Sequence, residues 1–310
     1  MKRFLAVFLM LAILLTGLTV TANAATTGWK KLDDGTWTYV KADGKLAENE
    51  WIQDGKTWYY FDGTTMVADG YMEIKGKWYG FSKTGAMVAD SWYEVKDAWT
   101  NGASDWYYAG SDGAFVKGWK KIDGKWYFFA NYKNYAEADP WMYQDTARAI
   151  DKGYADVDYS EKTPIYVFTK SGDMVESGWH KVTWHGDGYT WYYVKNGEAA
   201  KGWVKDGGKW YYLDAEYGFM YDEDWGLVEM NDKNIYTFDK SGAMVTGWKK
   251  IDGVWYYFKD SGAMLKSDWV KGSDGKWYYL KEDGKMAVSE TITWKGKEYK
   301  FDANGAWIEK

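Results

Sequence analysis

The sequence holds no cysteine, two prolines and two histidines among its 310 residues. Without cysteine there are no disulfides to staple the chain, and a lipid-anchored cysteine is excluded. With so little proline and no Ser/Pro-rich stretch, nothing in the composition marks a domain boundary. His180 and His185 fall short of the three or four ligands that a zinc site wants, so they read as exposed turn residues. No Gly-x-Ser-x-Gly, His-Glu-x-x-His or P-loop pattern occurs. Acidic residues are plentiful, but Asp33, Asp34, Asp123, Asp252 and Asp274 sit in turn signals, where Asp is favoured for backbone reasons. No carboxylate pair stands out from that background for glycosidase chemistry. No catalytic residue, metal or cofactor is expected.

Long apolar runs are missing too, beyond the first residues. Lys2-Arg3, the run from Phe4 to Leu15 and the small-x-small site Ala22-Asn23-Ala24 read as a signal peptide over 1–24. The remainder, 25–310, reads as one repeat domain with no membrane span. Removing Lys2 and Arg3 takes the formal net charge from −6 to −8. An acidic chain of this kind argues against nucleic acid and suits a cationic or neutral ligand.

What the chain does have is aromatic residues, 23 Trp and 28 Tyr, at regular intervals. Residues 247–269 show the unit. Trp248 to Ile251 reads as a strand, Asp252-Gly253 as a two-residue turn tolerant of positive φ, and Trp255 to Phe258 as the returning strand. Taking the aromatic of the first strand as the outer residue, the outer series is Trp29, Trp51, Tyr71, Trp92, Trp119, Trp141, Trp179, Trp203, Trp225, Trp248, Trp269 and Ile292. Taking the first residue of the second strand as the inner one, the inner series is Trp37, Trp58, Trp78, Trp106, Trp126, Ile165, Trp191, Trp210, Ile235, Trp255, Trp277 and Glu298. The two interleave, which predicts about twelve hairpins. A lone hairpin is marginal in water, so the units must stack on one another.

From each inner residue to the next outer one the spacing is 12 to 15, whereas from outer to inner it is 8, 7, 7, 14, 7, 24, 12, 7, 10, 7, 8 and 6. This pattern assigns the links a fixed length and places the insertions at the hairpin tips, the longest being 142–164. There a short helix is expected, Asp145 capping Thr146 to Lys152 with Gly153 as the stop. Pro140, where other units have Gly or Ser, argues against simple strand pairing at Trp141. An apolar residue recurs about nine positions after the inner one, for example Met87, Tyr135, Ala200, Phe219, Met264 and Met286. Tyr follows the inner residue in every unit but the first, and strand alternation puts the two on opposite faces. Many of these rings serve as core, but thin hairpins cannot bury all the indoles. Ring faces left around a gap make a cage for a quaternary ammonium or a platform for a sugar.

The run Gly-Trp-Lys-Lys-Ile-Asp-Gly-Lys-Trp-Tyr-Phe-Phe at 118–129 and the Ser-Gly-Ala-Met links resemble the choline-binding, or cell-wall-binding, repeats of Gram-positive bacteria. Related repeats occur in glucan-binding domains and clostridial toxin tails. The resemblance implies an all-β solenoid of stacked hairpins, a left-handed superhelix with about three hairpins per turn, and ligand sites between consecutive hairpins. It implies that each cage takes the outer and inner aromatics of one hairpin and the Tyr after the next inner residue. Carried onto this sequence, the choline cages are Trp29/Trp37/Tyr59, Trp51/Trp58/Tyr79, Tyr71/Trp78/Tyr107, Trp92/Trp106/Tyr127 and Trp119/Trp126/Tyr166. The series continues with Trp179/Trp191/Tyr211, Trp203/Trp210/Tyr236, Trp248/Trp255/Tyr278 and Trp269/Trp277/Tyr299. Ile165 and Ile235 stand where a ring is needed, so those two junctions are expected to be structural. The resemblance thus implies a secreted, non-catalytic surface protein held on the wall through choline on teichoic acids or a similar polymer. A glucan-binding repeat protein is the alternative. A wall-enzyme regulator, meeting a second protein through the enlarged tips, is the other.

Overall fold

In a computed structural model of the chain, the described residues are 26–96, 104–135, 138–155, 157–183 and 188–309. The signal peptide expected over 1–24, His185, and much of the tips expected at 93–105 and 180–190 lie outside them.

The unit read at 247–269 folds as expected. Gly247–Ile251 pairs antiparallel with Val254–Phe258, from Gly247 opposite Phe258 to Ile251 opposite Val254. Asp252 and Gly253 turn the chain at φ 48° and 84°, the double positive φ that matches the twist of the flanking strands. Every sheet consists of one such hairpin, and two gain a third short strand.

The chain divides into two compact units, one of the described residues to Val95 with Tyr108–Phe115, the other of those in Lys96–Tyr107 and Val116–Lys310. The first holds hairpins one to three: Gly28–Lys31 with Trp37–Val40, Trp51–Asp54 with Thr57–Asp62, and Gly70–Ile74 with Lys77–Phe81. The fourth, Ser91–Lys96 with Ser104–Ala109, has residues in both units. The second unit continues with Gly118–Ile122/Lys125–Phe129, Thr146–Ala149/Ile165–Phe168, Gly178–Thr183/Tyr189–Lys195 and Gly202–Asp206/Lys209–Leu213 as hairpins five to eight. Hairpins nine to twelve are Val228–Glu229/Ile235–Tyr236, Gly247–Ile251/Val254–Phe258, Asp268–Lys271/Trp277–Leu280 and Thr291–Trp294/Lys297–Lys300.

Within each unit one contact repeats from hairpin to hairpin. The apolar residue in the link after a hairpin donates its backbone N–H to the carbonyl of the previous inner residue. Met87 does so to Trp58 (2.8 Å), Met220 to Trp191 (2.8 Å), Met264 to Ile235 (2.8 Å) and Met286 to Trp255 (2.9 Å). The third residue after each inner one forms the floor: Phe61, Phe168, Phe238, Phe258 and Leu280 are all 0% exposed. Burial of each such side chain is worth about 1.5–3 kcal/mol, which a single hairpin could not supply. Link glycines close the stack. Gly262 turns at φ 82° directly over the Met244 thioether, a conformation that glycine adopts without strain.

Four expectations are corrected. Residues 146–152 are not helical; Thr146–Ala149 is a strand paired with Ile165–Phe168. Trp141 and Trp225 are not outer residues. In regular hairpins the outer residue faces the second residue after the inner one, as Trp119 faces Phe128, and in hairpin six Ala147 holds that place opposite Val167. In hairpin nine, Val228 pairs with Tyr236, so the corresponding position is Leu227. In hairpin twelve the register assigns it to Thr291, opposite Lys300, rather than Ile292. The links also vary in length, since 130–145 and 214–227 precede hairpins six and nine. In these links Met142 bridges to Phe129 and Met220 to Leu213, taking the places expected for Tyr135 and Phe219, and in hairpin seven Ala199 rather than Ala200 pairs with Val194. Among the described residues no helix is long and apolar enough to cross a membrane.

Candidate functional site: ring cages between hairpins

Strand alternation splits each return strand as its sequence predicts. In Val254–Phe258, Trp255 is exposed, Tyr256 buried, Tyr257 half-buried and Phe258 buried. The inner indoles Trp37, Trp58, Trp126, Trp210, Trp255 and Trp277 are all 39–41% exposed, a uniformity that marks a ring face held open by the stack. The outer indole is more enclosed. Trp119 packs edge-on to Phe128 across its own hairpin (5.0 Å between centroids) and against Phe168 of the next (5.9 Å).

In three of the expected cages the rings meet at a corner. Trp248 and Trp255 lie 6.3 Å apart at 89°, and Tyr278 closes to 5.3 Å from Trp248. Trp119 and Trp126 are 6.4 Å apart at 90° with Tyr166 at 4.7 Å, and Trp203 and Trp210 are 6.5 Å apart at 88° with Tyr236 at 4.9 Å. The outer ring also meets the next Tyr in Trp29–Tyr59 (4.6 Å), Trp51–Tyr79 (4.9 Å), Trp179–Tyr211 (4.8 Å) and Trp269–Tyr299 (4.9 Å). The sets Tyr71/Trp78/Tyr107 and Trp92/Trp106/Tyr127 draw residues from both compact units; Tyr71 and Trp78 are 5.5 Å apart. Tyr107 is wholly buried, its hydroxyl donating to Asp139 Oδ2 (2.7 Å).

Clefts open at two of these corners. Trp179, Trp191, Tyr211, Met220 and Ser241 line one of ≈ 280 Å³. The other, of ≈ 720 Å³, has Trp248, Trp255, Tyr278, Lys250 and Met286 in its wall. Perpendicular indoles offer a cation both a ring face and a second negative quadrupole, so the arrangement favours a soft, weakly hydrated cation. Burial holds Tyr79, Tyr166 and Tyr236 above the ordinary tyrosine range, so these walls are neutral phenols.

Two polar positions escaped the reading of the sequence. The Nε1 of Trp29 donates to Asp54 Oδ2 (2.8 Å) and that of Trp179 to Asp206 Oδ2 (3.0 Å). Each Asp is the third residue after the outer ring of the following hairpin, where Ile74, Ile122 and Ile251 stand elsewhere. That exception to an apolar series was the available signal. The second position faces the inner ring directly: Lys121 opposite Trp126, Lys205 opposite Trp210 and Lys271 opposite Trp277. Their Nζ atoms sit 5.8, 5.6 and 5.8 Å from the indole centroids. In hairpins two and three the position holds Gln53 and Glu73 instead.

Family profiles match the same stretches. The description "Choline-binding repeat" covers residues 226–269 and 245–291, and "Putative cell wall binding repeat" covers 49–64, 117–131 and 201–216. The chain carries choline-binding repeats. The matched repeats include the corners built by Trp248/Trp255 and by Trp203/Trp210, so the repeat unit and the ring corner coincide. Among solved structures the chain is similar to CbpJ from Streptococcus pneumoniae TIGR4, at 26% identity over 91% of this chain and 100% of that one, with a TM-score of 0.48. It is also similar to choline binding protein F of Streptococcus pneumoniae, at 27% identity over 93% of this chain and 100% of that one, with a TM-score of 0.47. The choline binding domain of Spr1274 from the same organism is 35% identical over 21% of this chain and 97% of its own, with a TM-score of 0.20. No curated protein matches the chain.

Proposed function

We infer that this chain is a secreted, non-catalytic surface protein that holds to the cell wall through choline carried on teichoic acid or a comparable polymer. The observation that carries the reading is the corner of two perpendicular indoles and a tyrosine that recurs at Trp119/Trp126/Tyr166, Trp203/Trp210/Tyr236 and Trp248/Trp255/Tyr278. A trimethylammonium group is large, weakly hydrated and cationic, which is the chemistry such a corner stabilises. The sets that lie within one unit, Trp29/Trp37/Tyr59, Trp51/Trp58/Tyr79, Trp179/Trp191/Tyr211 and Trp269/Trp277/Tyr299, are assigned the same role. Each cage alone is weak, and several acting on one polymer give retention by effective concentration. The experiment is thermal unfolding of the mature chain in rising choline, with sodium chloride at equal strength as control. Choline is expected to raise the midpoint by mass action while salt does not. Stabilisation by glucan oligosaccharides but not by choline would overturn the reading in favour of a sugar ligand.

A further inference from the structure

The residue expected to be the outer ring of hairpin nine does something else. Trp225 ends a short 3-10 turn, Glu223–Trp225, and lies flat on Tyr221, with centroids 4.4 Å apart at 6°. Its other neighbour is Phe219, at 5.4 Å and 21°. It stays 48% exposed, so an indole is held rigidly at the surface without being part of any repeat cage. Beside it is a cleft of ≈ 310 Å³, walled by Tyr189, Trp191, Phe219 and Trp225 and carrying Asp222 and Asp224.

Two acidic side chains lie side by side at this cleft. Asp222 accepts a bond from the Asp224 backbone N–H (3.2 Å), and neither carboxylate has an ion-pair partner among the described residues. Burial, and then the nearness of Asp224 and Glu223, push the Asp222 carboxyl upward against the help of that bond. Among the described residues, no Lys, Arg, Asn or Gln lines the cleft. Sugars are recognised by paired donors and acceptors around a flat ring. This wall has strong acceptors and aromatic faces and is poor in donors, which fits an organic cation better. One edge already uses that attraction: Lys181 Nζ lies 3.5 Å from the Tyr189 ring centroid.

The geometry points to a second organic-cation site, formed by Trp191, Phe219 and Trp225 with Asp222 and Asp224, next to the Trp179/Trp191/Tyr211 cage. Trp191 and Met220 line both clefts, so the two sites adjoin through shared side chains. Unlike the adjoining Trp179/Trp191/Tyr211 cleft, this one has two carboxylates in its wall. It therefore accepts small alkylammonium ions as a class, quaternary or not. Two cations in adjoining clefts suit a ligand that carries several amines along one backbone.

The test follows the indole N–H signals of the full mature chain by NMR, with the Trp225 signal assigned from Trp225→Phe. Tetramethylammonium chloride is titrated against sodium chloride and against tert-butanol, a neutral group of similar shape. The Trp225 signal is expected to move with tetramethylammonium and with neither control. In Asp222→Asn/Asp224→Asn the same shift should require about tenfold more cation, the order expected when two partly exposed carboxylates a few ångströms away are neutralised. An unmoved Trp225 signal, or an equal response to tert-butanol, would sink the site. Trp248 is the internal reference. If Trp248 responds and Trp225 does not, the second site fails while the cage reading stands; the opposite result removes the cages and leaves this site.

Discussion

The cages of hairpins seven and ten share one plan and differ in charge. In both, an outer Trp, an inner Trp, the next Tyr and the next link methionine surround the gap. At hairpin seven, Asp206 binds the Trp179 indole N–H, and Lys181 is drawn away to Tyr189. At hairpin ten the position equivalent to Asp206 is Gly272, and Lys250 stays in the cleft wall. The first cleft is the smaller, at ≈ 280 Å³ against ≈ 720 Å³. The backbone repeat therefore fixes the rings, while two register positions set how each gap treats a cation. Hairpins that look alike need not bind alike.

The largest effects should come from the glycines beneath the methionines. A Cβ on Gly242 would overlap Met220 of the seventh cage, and a Cβ on Gly305 would overlap Met286 of the tenth. Both glycines have positive φ, 79° and 84°. Gly242→Ala and Gly305→Ala should each cost about 2–4 kcal/mol, summing the left-handed penalty with overpacking. Each should also weaken choline binding at its own cage only, read as a lower unfolding midpoint and as loss of one indole response. Next in size, Trp179→Ala or Trp248→Ala should remove about 2 kcal/mol of binding at the cage it opens, checked by choline titration of the remaining cage. If either variant weakened both cages equally, the cages would not be separate sites.

How far the sequence revealed this depends on where the rings are. Hairpin ten was readable because Trp248, Asp252-Gly253 and Trp255 each mark a defined place in the register. Hairpins six and nine were not, because Ala147 and Leu227 fill the outer position and carry no aromatic signal. The spacing rule then drew Trp141 and Trp225 into places they do not occupy. Trp141 packs against Tyr132 (5.8 Å) and Tyr143 (6.3 Å) in the link before the strand. Ile165 joins an aliphatic core with Ala149, Val167, Val182 and Val194. The helix expected at 146–152 was a local preference overridden by pairing with Ile165–Phe168. Asp54 and Asp206 were missed because a turn-side Asp looks like any other until its partner indole is known.

Charge-changing variants sharpen the comparison with smaller effects. Asp206→Asn keeps an acceptor for the Trp179 N–H but removes the charge, and should weaken choline at hairpin seven by about 1 kcal/mol without touching hairpin ten. Lys250→Gln should do the reverse at hairpin ten, tightening free choline by a few tenths of a kcal/mol at low salt. Raising the salt to about 1 M should erase the gain from Lys250→Gln, because the interaction is between exposed charges. A gain that survived high salt would mean that Lys250 acts by occupying space.

The smallest difference is a pH dependence that the anchoring of Tyr278 adds at hairpin ten. Tyr278 donates its hydroxyl to Asp274 Oδ2 (2.8 Å), whereas the Tyr211 hydroxyl of the seventh cage has no hydrogen-bond partner among the described residues. That bond, helped by the Lys276 backbone N–H and the nearby Lys276 charge, holds the Asp274 carboxyl below its usual value. A carboxyl lowered in the folded state contributes fully above its unfolded value, about 3.9, and its contribution fades as pH falls through the lower folded value. Tyr278 should therefore stay anchored from neutral pH down to the ordinary carboxylate range, then loosen in more acid solution. Choline titrations followed at Trp255 should show affinity falling in that acid range. Asp274→Asn should remove that part of the fall at Trp255. If the wild-type and Asp274→Asn chains lose choline at Trp255 in parallel as the pH drops, the anchoring of Tyr278 has no part in binding, and the difference between the cages rests on Asp206 and Lys250 alone.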